Sequence, residues 1–154
     1  AAGLDGIVMA EPLSGLLSPA LEEEFSAPYC KELIDAVQDD SFAVIYHNCG
    51  PNTPKMTDSL SSLGASAYHF GDAVQLEEIL DKMPSDRVVM GNISPSKQFL
   101  GGTPDSMAQA VKELLEKCAG HKNFLLSSGC DIPPKSSWDN IRAFFRASEE
   151  FYAE

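Results

Sequence analysis

Short apolar runs alternate along the whole chain with segments in which apolar residues recur every three or four positions. Five of the runs predict β-strands, because they are short, mostly uninterrupted by polar residues and bounded by turn-forming residues. They are GIVMA (6–10), FAVIY (42–46), ASAYHF (65–70), RVVMGNI (87–93) and NFLLSS (123–128). Continuous apolar runs are typical of strands covered on both faces, as in a parallel sheet.

The intervening apolar positions predict helices. Cys30, Leu33, Ile34 and Val37 fall at i, i+3, i+4 and i+7, which is the spacing of one helical face. Four later segments have the same spacing or part of it: Met56, Leu60 and Leu63; Leu76, Ile79, Leu80 and Met83; Met107, Val111, Leu114, Leu115 and Cys118; and Ile141, Phe144, Phe145 and Ser148, with Phe151 or Tyr152 in the last turn. This alternation predicts an α/β fold of five consecutive βα units around a parallel sheet.

Local signals indicate where several helices begin. A side-chain oxygen that can cap a helix stands at three starts: Ser18 before Pro19, Thr103 before Pro104, and Ser136 at capping-box spacing from Asp139. Pro28 is expected to divide the first helical segment into a short turn and a longer helix. Gly3 is typical of the position just past a helix end, which would place such an end at the very start of the chain.

Five βα units suit either an open doubly wound sheet or part of an eight-unit barrel. The glycine-rich phosphate-binding fingerprint that would favour the doubly wound sheet does not follow the first strand, where AEPLSGLLSP stands instead. The count of units leaves both architectures open.

Composition narrows the class of protein. A chain of 154 residues with 44% hydrophobic content predicts one domain over 1–154. The net charge of -12 disfavours nucleic acid and anionic membranes as partners. Because the sequence contains neither an apolar run near the roughly 20 residues of a membrane span nor a basic-then-apolar leader, we expect a soluble, cytoplasmic protein with reduced thiols.

The second and fifth strands end in residues that can bind a metal. His47 and Cys49 stand two positions apart, so both side chains can point to the same side of the strand. Cys130 follows the fifth strand, and the carboxyl ends of parallel strands share one edge of the sheet. One imidazole and two thiolates are a favoured set for zinc, with a fourth position open as in catalytic sites.

A packing role is the alternative for each of these residues. A free buried cysteine commonly behaves as a small hydrophobe, and a His-x-Cys pair alone indicates a metal only weakly. Cys30 and Cys118 lie on apolar helical stripes, so we assign them to the core. His69 ends the third strand and could reach the same site, serve a neighbouring ligand or belong to the core.

Several motifs together resemble one family. EPLSGLLSP, YHNCGPNTP, MGNISPSKQFLGGTPDSM and SSGCDIPPKSSWDNIRAFF, spread over about 3–152, resemble the uroporphyrinogen decarboxylase superfamily, specifically its methylcobalamin:coenzyme M methyltransferase branch. The resemblance implies a (β/α)8 TIM barrel, of which this chain looks like the carboxyl-terminal five units. It also implies zinc bound by His47, Cys49 and Cys130. The decarboxylase branch has a histidine at the position of Cys130 and uses no zinc, so Cys130 favours the methyltransferase branch.

The implied reaction moves a methyl group from a corrinoid, methylcobalamin, carried on a partner protein to a small thiol such as coenzyme M. Glu11 ends the first strand and could be a fourth zinc ligand or hydrogen-bond a neighbour. Asn52 and Thr53 could contact substrate or form a turn. Asn92 is expected to line the pocket, and Asp131 could orient a ligand.

Two other functions stay open at this point. One is a tetrapyrrole decarboxylase of the uroporphyrinogen decarboxylase type, and the other is a non-catalytic barrel fragment that binds a corrinoid or tetrapyrrole. A five-strand arc would leave two open sheet edges and an uncovered apolar interior. We therefore expect this piece to pair with another chain or with its missing half, to be able to form homo-oligomers through the open edges, and to be inactive by itself.

Overall fold

Five parallel strands form one sheet in a computed structural model of the chain, which describes residues 3–153. The strands are β1 (Gly6–Ala10), β2 (Ala43–Asn48), β3 (Ala67–Phe70), β4 (Val88–Ile93) and β5 (Phe124–Ser128). Each pairs with the next one in sequence, so the order is β1-β2-β3-β4-β5. A doubly wound sheet would reverse its order at one point. The sequential order is therefore that of part of a (β/α)8 barrel, and the predicted fold class is confirmed.

Helices connect the strands. They are α1 (Pro19–Phe25), α2 (Ala27–Val37), α3 (Thr57–Ser62), α4 (Leu76–Leu80), α5 (Pro104–Cys118) and α6 (Trp138–Ala153). Two short 3-10 helices (Ser14–Leu16 and Thr53–Lys55) and one π-helical turn (Pro95–Leu100) complete the loops. Within the described residues, no helix is both long and apolar enough to cross a bilayer.

Two of the three predicted helix starts are confirmed. Ser18 Oγ accepts a hydrogen bond from the backbone N–H of Leu21, and Thr103 and Ser106 form a reciprocal capping box. The third was wrong: Ser136 belongs to the preceding turn, where its N–H donates to the carbonyl of Pro133, and Ser137 Oγ caps α6. A sequence offering two consecutive serines does not reveal which one the preceding turn will use.

The sequence predicted two helix interruptions near the start of the chain, one at Pro28 and one before Gly3. The helical segment after β1 is divided as predicted, because α1 and α2 meet at Ser26 and Pro28 lies in the first turn of α2. Gly3 has φ of 72°, in the left-handed region that glycine adopts readily. The helix end predicted before it lies outside the described residues.

The helices cover one face of the sheet. Outward side chains of the central strands, such as Tyr46, Tyr68 and Val89, are completely buried and join the helical stripes in one apolar core. The predicted stripes of α3, α4 and α5 are buried throughout, including Cys118. These stripes are therefore confirmed as core.

The stripes of α2 and α6 are narrower than predicted. Leu33 and Val37 of α2 are 58% and 45% exposed, and Phe145 and Tyr152 of α6 are 59% and 64% exposed. α2 follows β1 and α6 follows β5, so both helices belong to the end units of the arc. Spacing along a helix predicts which residues share a face, whereas the number of neighbouring elements decides how wide the buried part of that face is.

The inner face of the arc is less covered than the outer face. Val8, Val88 and Leu125 are 59%, 38% and 49% exposed there. β1 and β5 each pair on one side only, so two edges are open among residues 3–153. Pairing of these edges with another chain stays a prediction.

Candidate metal centre

His47, Cys49 and Cys130 come together at the carboxyl edge of the sheet. Their ligand atoms all lie within 4.8 Å of one another, and His47 Nε2 is 3.6 Å from Cys130 Sγ. His47 is only 6% exposed, and the two cysteines are half-buried. The sheet thus joins residues that are far apart in sequence.

Strand alternation turns His47 toward the inner face. Tyr46 and Asn48 point to the helices and are buried there. β2 runs two residues beyond its predicted end, so His47 belongs to the strand itself, opposite Ala10 of β1 and His69 of β3. Pairing on both sides holds the backbone that carries the imidazole.

Asn48 anchors the loop that places Cys49. Its Nδ2 donates to Ser14 Oγ (2.8 Å) and Tyr46 Oη (3.2 Å). Its Oδ1 accepts from the Gly50 N–H (2.9 Å) and from Thr53 Oγ1 (3.1 Å). Sequence reasoning passed over Asn48; the available signal was an asparagine two residues before a glycine at a strand end, where asparagine often bonds the backbone of its own turn.

Two glycines allow the cysteine loops to approach each other. A Cβ atom on Gly71, just after β3, would lie 2.7 Å from Cys49 Cα. A Cβ atom on Gly129, just before Cys130, would lie 2.8 Å from the backbone nitrogen of Asp72. Because neither side chain exists, the backbones after β2, β3 and β5 are in contact, and the two thiols can approach the same point.

The three residues open into a cavity of about 680 Å³ on the inner face. Its walls combine apolar side chains from β1 with polar groups from the other strands. The lining residues are Val8, Ala10, Pro12, His47, Cys49, His69, Ser128, Cys130, Asp131 and Ile132. A small molecule in this cavity would meet the imidazole and both thiols.

The surroundings shift the ionisation of these groups. Burial lowers the pKa of His47, and the neighbouring His69 lowers it further, so the imidazole is neutral at pH 7 and has a lone pair to offer. Burial, followed by the neighbouring Cys130 thiol, raises the pKa of Cys49. A cation held between the thiols would favour their thiolate forms.

The donor set fits zinc. Zinc–ligand bond lengths place tetrahedral nitrogen and sulfur ligands roughly 3.5–3.8 Å apart. The 3.6 Å separation of His47 Nε2 and Cys130 Sγ matches that spacing, and the other pairs are close enough for a side-chain rotation to complete it. Nε2 is the ring nitrogen of His47 that faces the thiol of Cys130. Nδ1 is buried and has no hydrogen-bond partner among residues 3–153.

Glu11, predicted from the sequence as a possible ligand, makes a hydrogen bond away from this cluster. Glu11 Oε2 accepts a hydrogen bond from Ser26 Oγ at 3.1 Å, which is the alternative that the sequence left open for it. The donor atoms gathered among the described residues do not include the Glu11 carboxylate. Its role as a fourth ligand stays a prediction.

Asn52, Thr53 and Asn92 make hydrogen bonds within the loops. Asn52 Nδ2 donates to the carbonyls of residues 16 and 17, and the buried Thr53 donates to Asn48 Oδ1. Asn92 Nδ2 donates to the carbonyls of residues 71 and 74. Of the residues described, those lining the cavity include none of these three, and their contact with substrate stays a prediction.

His69 and Asp131 do line the cavity. The rings of His69 and His47 are packed with centroids 4.6 Å apart, and His69 Nε2 is 2.6 Å from the carbonyl oxygen of Ser128. Asp131 is exposed beside Cys130. A position at this site is one of the three alternatives that the sequence left open for His69.

Comparison with known proteins identifies the family. The family model described as Uroporphyrinogen decarboxylase (URO-D) matches residues 1–151. The chain therefore belongs to the uroporphyrinogen decarboxylase family, as its motifs predicted.

Relatives in this family are named as two kinds of enzyme. The chain is 24% identical over 151 residues to the methylcobamide:CoM methyltransferase MtbA of Methanosarcina acetivorans, covering 97% of this chain and 43% of that protein. It is 28% identical over 150 residues to the uroporphyrinogen decarboxylase of Synechococcus sp. strain CC9605, covering 96% of this chain and 41% of that protein. The chain thus spans less than half the length of the curated relatives it matches.

A solved structure has the same architecture. The chain is similar to a methyltransferase from Methanosarcina mazei with a TM-score of 0.83 and 25% identity. The match covers 98% of this chain and 43% of that one. The five βα units are therefore arranged as in the corresponding part of that methyltransferase.

Proposed function

We propose that this protein is part of a zinc-dependent methyltransferase that moves a methyl group from a corrinoid on a partner protein to a small thiol such as coenzyme M. The observation that carries the proposal is the cluster of His47, Cys49 and Cys130, whose ligand atoms lie within 4.8 Å of one another on the cavity wall. Similarity to a protein named methylcobamide:CoM methyltransferase supports the same reaction class. A cytoplasmic location and the corrinoid partner are part of the proposal.

His47, Cys49 and Cys130 would hold the zinc. Zinc held there would supply a Lewis acid for a substrate thiol and would lower the pKa of that thiol toward neutral pH. A site built to activate water usually has a less sulfur-rich ligand set, because a more acidic metal is wanted there.

The residues around the cluster suit a thiolate nucleophile. His47 is kept neutral by burial, so its nitrogen is available as a ligand. Val8, Ala10 and Ile132 give the cavity an apolar side, which reduces hydration of the attacking sulfur. In the transfer, a sulfur–carbon bond forms while the cobalt–carbon bond breaks, and its electron pair stays on cobalt. The proton of the thiol leaves to solvent through the open cavity.

Decarboxylation of a tetrapyrrole is the second candidate, because cyanobacterial uroporphyrinogen decarboxylases are as similar to this chain as the methyltransferases are. A substrate rich in carboxylates requires basic side chains for binding. Among the described residues, those that line the cavity include neither lysine nor arginine, and Asp131 adds a negative charge. The described lining therefore offers donor atoms for a metal and no cation for a carboxylate.

The test is metal analysis and methyl transfer with the complete protein. We expect near-stoichiometric zinc and thiol-dependent demethylation of methylcobalamin, with both lost in Cys49→Ser and Cys130→Ser. Cys30→Ser is the matched control, because Cys30 lies in the core, and it should keep its zinc.

Three outcomes would contradict the proposal. Zinc-free protein that still methylates a thiol would remove the metal from the reaction. Protein that binds a corrinoid but shows no thiol-dependent demethylation would instead be a non-catalytic binding protein, and release of carbon dioxide from a tetrapyrrole carboxylate would establish the decarboxylase.

A further inference from the structure

We propose that His69 is a positioning residue that sets the spacing between the metal ligands at the end of β2, His47 and Cys49, and the ligand after β5, Cys130. This inference rests on the proposed function of the same site. His69 contacts both ligand-bearing segments: its ring packs on the ring of His47, and its side chain bonds the carbonyl of Ser128, two residues before Cys130.

The hydrogen bond between His69 Nε2 and the carbonyl oxygen of Ser128 has a defined direction. A carbonyl oxygen only accepts, so His69 Nε2 carries the proton and donates it across 2.6 Å. The bond forms whether the other ring nitrogen is protonated or not. His69 is therefore a fixed donor toward β5.

The hydrogen bond from His69 on β3 to Ser128 on β5 spans the intervening strand β4. β3 and β5 are not neighbours, because β4 lies between them and pairs with both. The last backbone hydrogen bond that holds the end of β5 to β4 runs from the N–H of Gly129 to the carbonyl of Ile93, at 2.7 Å. The carbonyl of Ser128 and the N–H of Gly129 belong to one peptide group, so this group is held by Ile93 on one side and by His69 on the other, and Cys130 follows it directly.

His69 has a different role from the ligands it joins. The cluster of donor atoms found in the described part of the chain contains His47, Cys49 and Cys130 and does not include His69. Its Nε2 is used by Ser128. Partners that orient metal ligands typically change metal affinity by about 10–100-fold when they are removed.

Three variants of the complete protein separate the possible contributions. His69→Phe keeps an aromatic ring against His47 but removes the donor, and His69→Gln keeps a side-chain N–H near the same place without the ring. Asn123→Ala is the control: it removes the hydrogen bond from Asn123 Nδ2 to the carbonyl of Arg87 (2.9 Å) at the opposite end of β5.

Two readouts are measured on each variant. Zinc affinity is obtained by competition with a chelator. Separately, the metal-free protein is titrated with a trivalent arsenical that bridges two close thiols, with Cys49→Ser as the blank. We expect His69→Phe to weaken zinc binding by about 10–100-fold and to weaken the arsenical as well. His69→Gln should restore most of both, and Asn123→Ala should leave both unchanged.

Several results would decide the matter. His69→Phe binding both probes as tightly as the unaltered protein would overturn the inference, as would equal weakening by His69→Phe and Asn123→Ala, which would indicate general loosening. If the unaltered protein binds the arsenical but no zinc, and His69→Phe weakens the arsenical, the positioning role is supported and the proposed function fails.

Discussion

Cys30 and Cys118 lie in the helical layer, whereas Cys49 and Cys130 lie in loops at the rim of the sheet. The helical pair is 4% and 0% exposed and packs in the apolar core. The rim pair is half-buried, and its sulfur atoms lie near each other and near His47. The cysteine side chain therefore serves packing in the helical layer, and we propose that it binds a metal at the rim. The position of each cysteine relative to the sheet decides which of the two roles it has.

The largest effect on folding should come from exchanging sulfur for oxygen in the helical layer. Cys118→Ser places a hydroxyl in an apolar environment, so we expect the free energy of unfolding to fall by about 1–3 kcal/mol. Cys130→Ser, at the rim, should change it by less than about 0.5 kcal/mol in metal-free buffer. Urea denaturation of the complete protein measures both.

Zinc affinity should show the reverse order for the same two variants. It should be unchanged in Cys118→Ser and lost in Cys130→Ser. A Cys130→Ser protein that is less stable than Cys118→Ser, or that keeps its zinc, would remove the distinction between the two regions.

A smaller effect on stability is expected from a substitution at Gly71, where the loops after β2 and β3 meet. Gly71→Ala would drive a methyl group into Cys49, so we expect the free energy of unfolding to fall by about 1 kcal/mol, the low end for overpacking because a rim loop can shift, and zinc binding to weaken. Gly120→Ala is the matched control, because a Cβ atom there meets no other atom within 4 Å. Calorimetric titration with zinc and thermal unfolding of both variants provide the comparison, and equal zinc affinities would show that close approach at Gly71 is not needed.

The last effect is absent at neutral pH and develops only in alkaline solution, through the buried thiol of Cys118. Burial raises the pKa of Cys118 from 9.0 to about 11. Between these two values the unfolded chain loses the thiol proton while the folded chain keeps it, so this residue makes stability fall as pH rises through that window. Cys118→Ala should therefore show a shallower decline above pH 9.

The control for the pH effect is a neighbouring position on the same face of α5. Val111→Ala removes similar buried volume and no thiol, so it should keep the slope of the unaltered protein. Denaturant unfolding at a series of pH values measures all three proteins. Parallel curves for Cys118→Ala and Val111→Ala would contradict the assigned cause.

Much of the fold follows from local patterns. Apolar runs and helical spacing located all five strands and most helices, because side-chain periodicity depends on the backbone of one element alone. The strand limits were less accurate: β2 continues to Asn48, since pairing with β1 and β3 extends it past the apolar run. The metal-ligating types His47, Cys49 and Cys130 were also visible, because each stands at or just after the end of a strand.

The sequence by itself determined which side chains share a face and which loops leave the same edge of the sheet. Only the tertiary structure decided which faces are covered, as the exposed Leu33 shows, and which rim residues meet. It directs Glu11 to Ser26 and His69 to Ser128. Such contacts join distant segments through the curvature and register of the sheet and through the close backbone approach at Gly71. None of these is encoded in the spacing of neighbouring residues.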